Sequence, residues 1–76
     1  MIIPEMGQWV CCLNRLDPIG KVVFICFDRN ECLILFLLQS CASGRGSEEV
    51  LVGFKDIGRV IDDKRAISCF EEGLEN

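Results

Sequence analysis

The chain has 76 residues, half of them apolar, with six cysteines, no histidine, no tyrosine and a formal net charge of −4. That length makes one small domain spanning 1–76, near the size at which burial only just offsets conformational entropy. The lack of histidine excludes Ser-His-Asp and Cys-His nucleophiles, imidazole acid–base catalysis and imidazole metal sites, and the acid excess speaks against a phosphate-binding surface.

Charge is unevenly spread. Residues 1–47 balance, with Arg15, Lys21, Arg29 and Arg45 against Glu5, Asp17, Asp28 and Glu31. Residues 48–76 carry four basic and eight acidic groups, so the whole deficit lies there. No basic stripe or basic–aromatic interleaving is present, which argues against nucleic acid as a partner. The acidic end reads as solvated surface; the sharper alternative is an acidic inhibitor or antitoxin-like patch for a basic protein.

Met1-Ile2-Ile3-Pro4-Glu5 lacks the basic and long apolar regions of a signal peptide, so the expected location is cytoplasmic. Gln8 to Leu13 is the first candidate strand. Asp17-Pro18-Ile19-Gly20 follows as a type I turn pattern, with proline second and glycine fourth. Lys21 to Phe27 is the second strand and Cys32 to Gln39 the third, joined across Asp28-Arg29-Asn30-Glu31. Neither apolar run reaches the roughly 18 residues that span a bilayer, and joined they would carry Asp28, Arg29 and Glu31 at their centre, so no membrane partner is expected. An alternative for 30–42 is a helix, with Asp28 and Glu31 as a variant capping box and Gly44 near its stop.

As a hairpin closed across 28–31, the two runs set Phe27 opposite Cys32, Ile25 opposite Ile34 and Val23 opposite Phe36. Val22, Phe24, Cys26, Leu33, Leu35 and Leu37 occupy the other face. Both faces are apolar, whereas a single-layer antiparallel sheet normally keeps one polar. The second face therefore needs a cover, either a helix of the same chain or another copy. Val23, Ile25, Phe27, Ile34 and Phe36 are the interface expected for a homodimer or higher oligomer. The mean hydropathy of +0.32, high for so short a chain, points the same way.

Ser40 to Ser47 reads as a flexible loop and Glu49 to Phe54 as the fourth strand. Arg59 to Ile61 and Arg65 to Phe70 read as a last hairpin, the latter strand at an edge. Together these elements predict a mostly β domain, a five- or six-stranded antiparallel meander or SH3-like barrel. With a helix at 30–42 packed on the sheet, the class would instead be α+β.

Little chemistry is legible. The six thiols (Cys11, Cys12, Cys26, Cys32, Cys41, Cys69) show no Cys-x-x-Cys spacing, and most stand among apolar neighbours, as free buried cysteines do. Neither a metal nor a cofactor is expected. Cys32, three residues after Arg29, is the best-placed thiol nucleophile, and Cys41 the most exposed. Gly44-Arg45-Gly46-Ser47 matches no phosphate-loop pattern and precedes Glu48-Glu49. The expectation is thus a non-enzymatic interaction protein that self-associates. It would meet another protein through the loop at Arg45, Glu48 and Glu49 and the turn at Asp62, Asp63 and Arg65. A small-ligand carrier or thiol-dependent enzyme is the remaining alternative.

Overall fold

In the computed structural model, which describes residues 1–38 and 46–75, the apolar runs are strands. Their order is β1 (Trp9–Cys12), β2 (Ile19–Cys26), β3 (Glu31–Leu38), β4 (Gly46–Gly53) and β5 (Ile57–Ile61). A 3₁₀ turn (Phe54–Asp56) precedes β5, and helix α1 (Lys64–Glu75) follows it. All five strands form one antiparallel sheet in the order β4-β3-β2-β1-β5, curled into a half-barrel. This is the mostly β, SH3-like meander that the sequence predicts.

Alternation in β3 decides its type. Cys32, Ile34 and Phe36 are fully buried, whereas Leu33 and Leu35 keep part of their surface, a period of two. Over residues 31–38 the helical alternative is therefore overturned; positions 39–42 lie outside the described residues. The concave face collects three cross-strand rows: Val60–Val10–Gly20–Phe36–Glu48, Val22–Ile34–Val50 and Ile25–Cys32–Val52. Phe54, Ile57 and Cys12 complete this core, with Ile2 packed against it from the N-terminal segment. Gly7, at φ 81°, forms a bulge with Gln8, the two residues together facing Val22: the Gly7 N–H donates to the Val22 carbonyl and the Val22 N–H to the Gln8 carbonyl, each at 2.8 Å.

The hairpin register differs from the expected one. Cys26 pairs with Glu31, Phe24 with Leu33 and Ile25 with Cys32, while Val22 pairs with Ile34 across an irregularity at Val23. Two causes act together. The loop starts one residue early, at Phe27, and closes with Asn30 in the left-handed region at φ 53°, a conformation asparagine tolerates. The extra residue at Val23 then flips the alternation, so that Val22 and Ile25 both face inward. Asp17-Pro18-Ile19-Gly20 is likewise displaced: Ile19 and Gly20 already belong to β2.

The largest correction concerns Arg65 to Phe70, which is helix and not edge strand. Asp63 caps it, its carboxylate accepting from the Arg65 N–H at 2.9 Å while its carbonyl accepts from Ile67. Ala66, Ile67, Phe70 and Leu74 form the stripe that packs on Trp9, Leu37 and Ile61. Trp9 and Phe70 rings meet with centroids 5.1 Å apart. The second apolar face of the sheet is thus partly covered by the chain's own helix, at 64–75.

Candidate functional site

The helix covers only one end of the convex face. Beyond it, Phe24, Leu33 and Leu51 stand directly opposite one another on β2, β3 and β4. Phe24 is 57% exposed and Leu51 58%. The adjacent row, Ile61–Trp9–Lys21–Leu35–Glu49, runs from beneath the helix to a charged edge. Lys21 and Glu49 therefore border the uncovered apolar row on its helix side.

The residues expected at an oligomer interface are placed differently. Ile34 and Phe36 are 0% exposed in the concave core, and Ile25 packs against it. Val23 sits at the strand irregularity. Phe27 is exposed at the head of the β2–β3 loop, with its ring edge-on to Phe54 at 6.2 Å. Within the strands, the apolar surface left in solvent belongs instead to the opposite set, Phe24 and Leu33, joined by Leu51. Leu51 could not have been singled out without knowing that β4 pairs with β3.

The charged positions do not form one loop surface. Glu48 and Glu49 lie within β4, and Asp62, Asp63 and Arg65 follow β5, at the other end of the strand order; Arg45 lies outside the described residues. Asp63 is occupied as the helix cap. Glu48 is ion-paired to Arg15, whose guanidinium also lies 3.6 Å from the centre of the Phe36 ring and donates through Nε to the Asp17 carbonyl at 3.3 Å. Arg15 thereby ties the β1–β2 loop across the open end of the barrel.

Along the free edge of β4 runs a groove of about 380 Å³. Its one wall is the continuous stretch Val50–Gly53, and Leu13, Asn14 and Arg15 form the other. Four consecutive strand residues share no single face, so this groove follows the backbone edge where the half-barrel fails to close. Asp56 stands at its end, with Oδ2 3.5 Å from where a Gly53 side chain would begin. A second depression of about 540 Å³ is lined by Arg29, Lys55, Glu31 and Asp56, two charges of each sign, and so selects neither anion nor cation.

Cys11, Cys12, Cys26, Cys32 and Cys69 are free thiols. Burial raises the Cys32 thiol above its ordinary range, and its Sγ contacts the Val52 carbonyl at 3.7 Å. Burial, with Cys32 and Cys11 nearby, pushes Cys12 up to about 11. These shifts oppose thiolate formation, the reverse of what a nucleophile needs. Cys41 lies outside the described residues. Among the described residues no three His, Cys, Asp or Glu side chains gather as metal ligands, and no helix is long and apolar enough to cross a membrane.

Compared with known proteins, the chain matches no family model, no curated protein and no solved structure.

Proposed function

We propose that this chain is a non-enzymatic interaction domain that pairs with a second copy of itself through the convex row Phe24–Leu33–Leu51. One observation carries the reading: this row is apolar across three strands and has no cover within the described chain. Fully burying a leucine or phenylalanine is worth about 1.5–3 kcal/mol. Two copies that bury the exposed halves of Phe24 and Leu51 gain roughly 3–6 kcal/mol before association costs, which themselves run from about 4 kcal/mol upward. Pairing is therefore weak and reversible, well below the tightness of an interface burying about 800 Å² per partner.

Light scattering on a sizing column, with and without reductant over a range of loading concentrations, tests it. The expected mass is 8.6 kDa at micromolar loading and climbs above it only at millimolar loading, regardless of reductant. Phe24→Glu should hold the protein at 8.6 kDa at every concentration. A wild-type mass that never leaves the monomer value would refute the reading.

A further inference from the structure

We infer that the open seam between β4 and the β1–β2 loop is a strand-addition site for a short extended peptide bearing basic side chains. β4 ends the strand order, so every second residue along it turns its N–H and C=O toward a side with no strand neighbour among the described residues. Such edges are ordinarily protected by charge, proline or a bulge. Here the protection is confined to one half: Glu48 and Glu49 occupy the start of β4, while Val50-Leu51-Val52-Gly53 carries neither charge nor proline. The groove of about 380 Å³ lies against that unprotected half.

The geometry selects the occupant. Arg15 reaches Glu48 across the concave side, over the Phe36 ring, so the β1–β2 loop stands beside the edge as the second wall of a slot. A sheet edge of a second copy brings further strands with it and needs room beyond the second wall, whereas one extended segment needs only the width of the slot. Four residues of β4 at roughly 3.3 Å each match three or four residues of such a segment. Side chains pointing one way along the added strand would meet Val50 and Val52, and the alternate ones would point toward Leu51 and solvent.

Charge sets the remaining preference. The one cation that lines the slot among the described residues, Arg15, is already engaged by Glu48, Phe36 and the Asp17 carbonyl. The carboxylate of Asp56 makes no ion pair among the described residues. At the other end of the wall, Glu49 is an exposed acid on β4, one residue before Val50. A peptide with apolar residues at its centre and lysine or arginine at its ends satisfies both the apolar wall and the acids.

The probes are acetyl-Lys-Val-Thr-Val-Lys-amide, the same sequence with Glu for each Lys, and the Lys peptide N-methylated at alternate amides. The protein is the full chain, followed by amide resonances at a concentration where it is monomeric. The Lys peptide should shift the amides of 50–53, 13–15 and 56 saturably, and the N-methylated peptide should shift none of them. Exchanging Lys for Glu in the peptide, or Asp56→Asn in the protein, should weaken binding about two- to fivefold, the size of an exposed ion pair. Absence of shifts at millimolar peptide, equal binding of the N-methylated form, or preference for the Glu peptide would each overturn the inference. So would protection of the 50–53 amides that grows with protein concentration alone, because a second copy would then be the occupant. Phe24→Glu, which abolishes pairing through the convex row and lies off the groove, should leave peptide binding unchanged, so failure of one reading is distinguishable from failure of the other although Leu51 borders both surfaces.

Discussion

Replacing Gly20 with alanine is a small chemical change with a large expected cost. Gly20 lies in the middle of an inner row, directly opposite Phe36. A Cβ there would overlap the Ile34 Cγ2 methyl and sit 3.0 Å from both the Leu35 carbonyl oxygen and Phe36 Cδ1. Ile34 and Phe36 are both 0% exposed, so neither can swing into solvent, and the carbonyl moves only if β3 moves. Overpacking of this kind costs about 1–3 kcal/mol, and the usual gain from stiffening a strand glycine, about 0.5–1 kcal/mol, does not cancel it. So deep an overlap with a buried methyl puts the cost at the top of that range, leaving a net loss of about 2 kcal/mol, a large share of the roughly 4–11 kcal/mol typical of 76 residues. At about 4–8 °C per kcal/mol, the midpoint of thermal unfolding followed by circular dichroism should fall by about 8–16 °C. Ile34→Ala removes the overlapping methyl; combined with Gly20→Ala, it should be less destabilising than the two single changes added, by about 1 kcal/mol. A neutral or stabilising Gly20→Ala, or strictly additive variants, would show that β2 and β3 do not approach as described.

Other consequences are open to measurement. Arg15→Ala should cost about 1–2 kcal/mol in urea unfolding, combining the cation–ring contact with the Glu48 pair, and Arg15→Lys should recover less than half because ammonium cannot lie flat on Phe36. Gly73→Ala should stabilise by about 0.5–1 kcal/mol, since its Cβ would meet Leu37 at an ordinary 3.8 Å and helix propensity improves; Asp63→Ala should cost about 1 kcal/mol through the lost cap. The buried Cys12 thiol, raised from 9.0 to about 11, favours the neutral form in the folded state. Its contribution to stability is complete below about pH 9 and is lost as pH climbs toward about 11, so unfolding midpoints should decline across that window and Cys12→Ala should flatten the decline. Mapping of alkylated sites in the native protein should find Cys69 modified early, with Cys12 and Cys32 modified only on unfolding.

The legible part of this fold was what hydrophobic patterning alone can encode. Val22 to Phe27 and Cys32 to Leu38 are dense enough in branched and aromatic residues to be strands wherever they pair, and all five strands overlap their expected positions. The need for a cover on the second face was also readable, because neither run offers a polar side. What periodicity could not supply was register: with both faces apolar, a one-residue bulge at Val23 exchanges core and surface without leaving a polar residue on the wrong side. That is why Ile34 and Phe36, expected outside, are inside. The helix was missed for a different reason. Arg65 to Phe70 contains only part of the stripe, and it becomes recognisable when Asp63 is taken as a cap and Leu74 is added to Ala66, Ile67 and Phe70. Lys64 and Arg65 at its start, and the lack of any basic residue in its last turn, oppose the helix dipole, so local charge argues against the structure that packing enforces. The seam beside Asp56 had no signature at all, since it exists only where β4 and the β1–β2 loop are brought together.

The position of α1 in the chain has a consequence for biosynthesis. Hairpins form within about 1–10 μs, whereas a ribosome adds about 5–20 residues per second. The twelve residues of the helix therefore take on the order of a second to make, after every strand it will cover has been made. Without the helix, Trp9, Leu37 and Ile61 would share the apolar, unprotected condition of Phe24 and Leu51, and the whole convex surface would be bare. A messenger truncated just after Ile61 would therefore yield a product stickier than the chain that carries α1.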